Sequence, residues 1–390
     1  MLATRLQHIN EYYFSQKLRE IEDLNRAGKQ VINLGIGSPD LPPHPDVINT
    51  LQQTAADPGN HAYQSYKGSA VLRNAIAVWY KQFYGVTVDP DSEILPLIGS
   101  KEGIMHICMT YLEQGDYALL PDPGYPTYGA AVTLAGARSV KYDLMESSGW
   151  LPDLPAIELE IAELVSAGQR APKLMFLNYP HMPSGTRASP GLFKELVAFA
   201  KRNKLLLIHD NPYSFILNDQ PTSLMAVPGA FEVALELNSL SKSHNMAGWR
   251  VGMLIGAAER LGEVLRFKSN MDSGMFLPVQ LAAATALGLG KPWYDALNHT
   301  YKNRQHLAFE LLESLGCTYD RHQAGMFIWA NVPPTFKDGF DLSDRLLSRA
   351  AVFITPGGIF GNNGSGYIRI SLCSSEDKIN EAITRIKHTL

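Results

Sequence analysis

The chain has 390 residues, and at roughly 150 residues per domain that length points to two domains or three. Hydrophobic residues make up 45% and charged residues 18%, a balance that builds a large core and excludes a disordered or collagenous chain. A net charge of -4 gives no general attraction to nucleic acid or an anionic membrane, and no apolar run approaches the ~18 residues of a membrane span. Cys108, Cys317 and Cys373 are odd in number, far apart and without CxxC spacing. That pattern fits a reducing, cytoplasmic setting and gives neither a disulfide framework nor a metal site.

In chain order, residues 1–24 read as a short helical arm, because charges interrupt any signal-peptide core. Short apolar runs follow at 93–99, 117–121, 173–178, 204–209, 233–238 and 251–256. Helical patterns at 101–113, 155–167, 190–203 and 257–269 alternate with them. Such alternation predicts an α/β fold of βαβ units, with a mainly parallel sheet covered by helices on both faces. Ligands of such sheets bind beyond the carboxyl ends of the strands. After about residue 290 the pattern changes to a long helix (293–315), strand-like GMFIWANV, VFITPG and YIRISLC, a helix at 342–351 and a last one from Glu376. That predicts a smaller α+β domain, onto which the extended segment 31–45 packs back. The expected division is an arm and small-domain segment at 1–45, a large domain at 46–285 and a small domain at 286–390, with a cleft shared between them.

The sharpest local feature is SLSKSHNMAGWRVG directly after VALELN. It sets Ser239, Lys242 and Arg250 in a loop between two strands. An isolated lysine is most often a solvated charge. Here the neighbours are small or apolar, a setting that desolvates the amine and lowers its pKa, as a Schiff-base lysine requires. Further candidates stand in order along the chain. LGIGSPDLPP holds Gly37, HAYQSYKG holds Tyr63, LIGSKEG holds Ser100 and Lys101, and DPGYPTY holds Tyr125. HDNPYSFI holds Asp210 and Tyr213, and YIRISLC holds Arg369. Several have a plainer reading: Ser100 as an ordinary N-cap, Asp-Asn-Pro as turn chemistry, Tyr213 and Tyr125 as core, Arg369 in a structural salt bridge.

Taken together and in this order, the motifs resemble the fold-type-I, pyridoxal 5'-phosphate-dependent aminotransferases of class I/II, over residues 31–390. NLGIGSPDLP, HAYQSYKG, GSKEG, LSKSHNMAGWR and MDSGMF are similar to the LL-diaminopimelate aminotransferase-like group in particular. The resemblance implies a large domain with a seven-stranded-type, mainly parallel sheet. It implies that Lys242 forms the Schiff base and shuttles the α-proton, that Asp210 pairs with the pyridine nitrogen, and that Tyr213 donates to the phenolic oxygen. Ser100, Lys101, Ser239 and Arg250 would hold the phosphate, Tyr125 would stack on the ring, and Gly37 and Arg369 would meet the substrate, Arg369 at its carboxylate. Tyr63, with Tyr66 as rival, would reach a neighbouring subunit's phosphate, and Ser273 and Gly274 would approach it likewise, which implies a homodimer with shared sites. The partners implied are a small amino acid and a 2-oxo acid, with no nucleic acid, membrane or metal. The reaction is a ping-pong amino transfer; a carbon–sulfur β-lyase and a non-enzymatic sensor use related scaffolds. The roughly 30 residues ahead of Val31 are too few for the DNA-binding module that such sensors carry.

One segment departs from the pattern. NYPHMPSG (178–185) puts Met182 where the family has an asparagine that serves the phenolic oxygen and the substrate carboxylate. Methionine has no N–H to donate. His181 or Asn178 substitutes, or Tyr213 acts alone. A lost donor favours protonation of the phenolic oxygen and raises the Schiff-base pKa.

Overall fold

The computed structural model describes residues 3–388 except residues 8 and 10. Seven strands form the central sheet, in the order Ile94–Leu97, Gly252–Gly256, Ala234–Ser239, Leu206–Asp210, Leu174–Leu177, Tyr117–Asp122 and Arg138–Asp143. Gly252–Gly256 runs antiparallel to both neighbours, and the other pairings are parallel. Reversal of that one strand leaves the other six pointing the same way, so their carboxyl ends share one edge.

Both faces of the sheet are covered, which is why its strands read as nearly continuous apolar runs. Leu174 and Phe176 face one core with Ile104, Ile107, Val132 and Leu261 from helices Ser100–Tyr111, Pro126–Leu134 and Ala258–Lys268. Met175 and Leu177 face the other, with Leu72, Ile76, Phe193 and Leu196 from helices Ala70–Tyr84 and Pro190–Asn203. The latter helix begins where the sequence predicts: Ser189 caps it by accepting the Leu192 N–H, and Pro190 fits the first turn. Strand Arg138–Asp143 was not among the expected runs. It lies at the sheet edge, paired on one side only, and most of its side chains face solvent, so it lacks the apolar signature of its neighbours.

A second, antiparallel sheet places Thr355–Pro356, Tyr367–Ser371, Phe327–Asn331 and Thr318–Tyr319 side by side. The long helix Lys291–Ser314 and the last helix Glu376–Lys387 accompany it. Ile32–Asn33 pairs in parallel with Val352–Phe353, so the extended segment after helix Tyr13–Arg26 packs against this C-terminal part.

Directly behind the edge where the strands end, Glu236 is fully buried. Its carboxylate accepts from Tyr80 Oη at 2.9 Å, Ser223 Oγ at 2.8 Å and the Leu224 N–H at 2.9 Å, and lies 2.8 Å from His209 Nδ1. The network locks two central strands to helix Ala70–Tyr84. Glu236→Ala would strand these buried donors, and we expect chemical denaturation to show a loss of about 3–5 kcal/mol.

Candidate active site

A cavity of about 530 Å³ opens at the carboxyl edge of the large sheet, against the second sheet and the N-terminal helix. Gly37, Ser100, Lys101, Tyr125, Asp210, Tyr213, Ser239, Lys242, Arg250 and Arg369 all line it, ten of the expected residues gathered from across the chain. Tyr63 does not line it and lies 92% exposed on the outer surface.

Lys242 sits in the short helix Leu240–Ser243 that follows strand Ala234–Ser239. Its ammonium donates to Gly37 O at 2.6 Å. Burial lowers its pKa, and the positive charges of Arg369 and Arg250 push the same way. Gly37 must be small, because a Cβ there would fall 2.2 Å from the Phe327 ring.

Asp210 ends its strand with Oδ2 accepting from Tyr128 Oη at 2.9 Å, while Oδ1 is buried without a partner. Burial raises its pKa to about 6, against the opposing hydrogen bond from Tyr128. An orphaned carboxylate oxygen in such a place fits a ligand N–H.

Helix Ser100–Tyr111 is capped by Gly99, at φ 84°, and has no side-chain cap. Ser100 is therefore the first helical residue and not the N-cap, which leaves the first N–H groups free for an anion. Glu102, three residues after Gly99, reaches back past the N-cap and accepts the Ile98 N–H at 2.7 Å. Behind it, His106 Nε2 lies 3.4 Å from Glu102 and 3.8 Å from Asp272, whose carboxylate already holds the Lys268 ammonium at 2.6 Å. Arg250 adopts left-handed backbone (φ 58°), and its guanidinium lies so close to Gly99 that a Cβ there would fall 2.1 Å from it. Ser239 Oγ lies 2.9 Å from Ser241 Oγ, which in turn is 3.4 Å from Arg250 Nη1. Glycine N-cap, serine hydroxyls and a guanidinium together fit a phosphate.

Arg369 is buried in strand Tyr367–Ser371. Among the described residues no carboxylate pairs with it, so the structural salt bridge is not found. Its guanidinium is 3.8 Å from the Phe327 ring centroid, 4.7 Å from Phe360 and 5.5 Å from Phe14. Nη2 donates to Gly35 O at 2.9 Å, and Nε has no partner. Burial lowers its pKa to about 10, so it stays charged and wants an anion.

At Met182 the thioether, not an amide, meets Arg369 Nη1, at 3.1 Å. Asn178 donates one amide N–H to Asp210 O at 2.6 Å and accepts the Met182 N–H at 2.7 Å, which leaves its second amide N–H uncommitted. His181 is turned away, 2.7 Å from Ser184 Oγ and 3.1 Å from Pro123 O, and burial lowers its pKa to about 4, which keeps it neutral. His181 lies outside the cavity lining, whereas Asn178 is part of it. Burial raises the pKa of Tyr213, which keeps it a phenol donor in the cavity.

Sequence reading passed over Tyr12, Phe14, Tyr128, Ser241, Phe327 and Phe360, all in the lining. Only Tyr128 carried a local signal, three residues after Tyr125 and so on the same face of helix Pro126–Leu134 as the cavity.

Asp210→Asn gives a test that needs no ligand. The folded carboxyl, at about 6, holds its proton more tightly than the unfolded one, near 3.9, so stability is lost as pH rises between those values. Cofactor-free Asp210→Asn should therefore exceed wild type by up to about 3 kcal/mol above pH 6, and the gap should close below about pH 4.

Residues 29–386 match the family described as aminotransferase class I and II. The chain is 40% identical to LL-diaminopimelate aminotransferase of Moorella thermoacetica over 100% of its length and 98% of that protein. It is 39% identical to the enzyme of the same name from Halothermothrix orenii, over 99% of the chain and 98% of that protein. Among solved structures it superposes on substrate-bound BacF from Bacillus subtilis with TM-score 0.93 and 34% identity, covering 100% of this chain and 97% of that one. An aminotransferase from Staphylococcus aureus gives 0.88 at 29% identity, over 99% and 98% of the two chains. The chain therefore belongs to the class I and II aminotransferases.

Proposed function

We propose that this chain is a pyridoxal 5'-phosphate-dependent aminotransferase that moves an amino group between an L-amino acid and a 2-oxo acid, as a homodimer in the cytoplasm. The observation that carries the reading is the meeting in one cavity of a desolvated Lys242, a carboxylate with one orphaned oxygen at Asp210 and an unpaired Arg369. The residues fit the cofactor. Asp210 Oδ1 would accept from its ring nitrogen, Tyr213 would donate to its phenolic oxygen and Tyr125 would cover its ring. Arg250, Ser239 and the N–H groups of Ser100 and Lys101 would hold its phosphate. When bound, pyridoxal phosphate supplies an electron sink for the charge left at the substrate α-carbon.

Arg369 binds the substrate carboxylate through its guanidinium edge and so fixes which face of the α-carbon meets Lys242. Lys242 Nζ, with its pKa lowered, takes the α-proton and returns it, while Gly37 O orients the amine. The aromatic shell of Phe14, Phe327 and Phe360 excludes water from the Arg369 contact. The cleft lies between a large domain, 46–285, and a small one made of 1–45 and 286–390, a division supported by the positions of the two main sheets. No observation in the cavity favours β-elimination.

Dimerisation is supported by an apolar surface away from the cavity. Tyr63 is 92%, Met271 53% and Phe276 43% exposed. These loops touch: His61 and Phe276 rings lie 5.6 Å apart, and Gly274 abuts the backbone of Gln64 and Ser65. Its place outside this chain's own cavity supports a role for Tyr63 at a neighbour's phosphate. Three buried free cysteines, Cys108, Cys317 and Cys373, support a reducing compartment. No helix among the described residues is long and apolar enough to cross a membrane.

Mixing the cofactor-loaded protein with single amino acids should bleach the bound cofactor's visible absorbance and release one equivalent of 2-oxo acid. Ammonia and pyruvate would overturn the reading. Lys242→Ala should lower the rate by at least about 10²–10⁴-fold while leaving Arg369 able to bind a carboxylate. Met182→Asn should shift the pH midpoint of the bound cofactor's absorbance downward, since a restored amide donor favours the phenolate.

A further inference from the structure

Among the described residues five charged side chains line the cavity: Lys101, Asp210, Lys242, Arg250 and Arg369. The proposed function, on which the present inference rests, gives four of them a task at the cofactor or the substrate carboxylate. The fifth, Lys101, is a cation whose ammonium lies 4.7 Å from the centroid of the Tyr12 ring. Among the described residues Asp210 is the only carboxylate in the lining; it accepts from Tyr128 and would be committed to the ring nitrogen.

Hydroxyls, Ser15 among them, and the Asn178 amide supply further polar groups, and the side of the cavity next to the N-terminal helix is mainly apolar. Tyr12 caps the N-terminal helix Tyr13–Arg26, and Phe14 and Leu18 follow on one face, four residues apart. Ile36, Phe327 and Phe360 complete the wall, and all six line the cavity. Phe14 lies against Arg369, so the apolar wall begins where the substrate carboxylate would be held. Leu18 is 44% exposed although it lines the cavity, an apolar surface that an apolar substrate side chain would cover.

We propose that the site takes a 2-amino acid with a large apolar side chain, aromatic or branched aliphatic, and rejects one with a distal ammonium such as LL-diaminopimelate. An apolar chain gains by leaving water for Phe14, Leu18 and Ile36. A distal ammonium entering the same space meets, among the described residues of this chain, no uncommitted carboxylate, and finds the Lys101 cation there. Leu18 and Phe14 are the specificity-determining residues.

The test uses the cofactor-loaded full chain. Phenylalanine, leucine, aspartate, lysine and LL-diaminopimelate are compared by the second-order rate of absorbance bleaching. Binding of 3-phenylpropionate and 6-aminohexanoate is measured by calorimetry. Phenylalanine or leucine should exceed LL-diaminopimelate by about a hundred-fold or more, and 3-phenylpropionate should bind more tightly than 6-aminohexanoate. Leu18→Glu, at an exposed position, should raise the rates for lysine and LL-diaminopimelate relative to phenylalanine. Preference of the wild type for LL-diaminopimelate would overturn the inference and leave amino transfer standing. Preference for aspartate would overturn it too, by making Lys101 the anchor of a second carboxylate. If no amino acid bleaches the cofactor and neither acid binds, the amino-transfer reading falls together with it.

Discussion

The site rests on an electrostatic imbalance that the fold must hold in place. Lys101, Lys242, Arg250 and Arg369 line one cavity with a single carboxylate, Asp210, and among the described residues none of the four cations is in a salt bridge. Four positive charges against one leave an excess of three, which matches a phosphate dianion and one carboxylate. Held without those anions, the charges repel one another and lose hydration. Compensation comes from neutral groups: Gly37 O for Lys242, Gly35 O for Arg369, Ala247 O for Arg250, and the aromatic faces around Arg369. Carbonyls and rings do not neutralise a charge. They orient it, and they leave its outer field for the ligand.

Only a stiff support makes that arrangement stable. Asp210 and Ser239 end adjacent parallel strands, while Ser100 and Tyr125 begin helices after two others. Both faces of the sheet are packed, so these ends cannot drift apart without opening one of two cores. Arg369 and Phe327 arrive from the second sheet, with Trp329 opposite Arg369 in the ladder. The segment holding Gly35 and Gly37 is anchored by the pairing of Ile32–Asn33 with Val352–Phe353. Three stretches of chain therefore meet at the cavity.

That division explains what could be read in advance. Residues with a task at a strand end, such as Asp210, Ser239 and Lys242, announce themselves through an apolar run followed by polar or glycine-bearing text. Arg369 does so as a charge in an alternating apolar strand. The wall residues do not. Phe14 and Leu18 look like the inner face of any amphipathic helix, and Phe360 like core, until the tertiary structure brings them to Arg369. Strand Arg138–Asp143 is missed for the opposite reason: an edge strand facing solvent has no burial to impose a pattern. The fate of His181 and Asn178 was equally illegible, because both are decided by partners outside their own motif, Pro123 O and Asp210 O.

Met182 connects the wall to the imbalance. An asparagine amide beside Arg369 would bring a dipole and the water that hydrates it. A thioether brings a weak acceptor and a polarisable apolar surface. With Phe14, Phe327 and Phe360 it forms a dry collar around the guanidinium, whose lowered pKa records the same loss of hydration. In such surroundings a bidentate carboxylate contact would be stronger than in water, so the substrate carboxylate proposed for Arg369 would need less help from a neighbouring amide. The collar also sets a condition on the side chain that enters the cavity with the carboxylate. A charged substrate tail would have to bring its water with it and undo the dryness that strengthens the carboxylate pair. The change at residue 182 and the apolar wall are then two consequences of one arrangement, in which affinity for the carboxylate would be gained by keeping the immediate surroundings of Arg369 apolar.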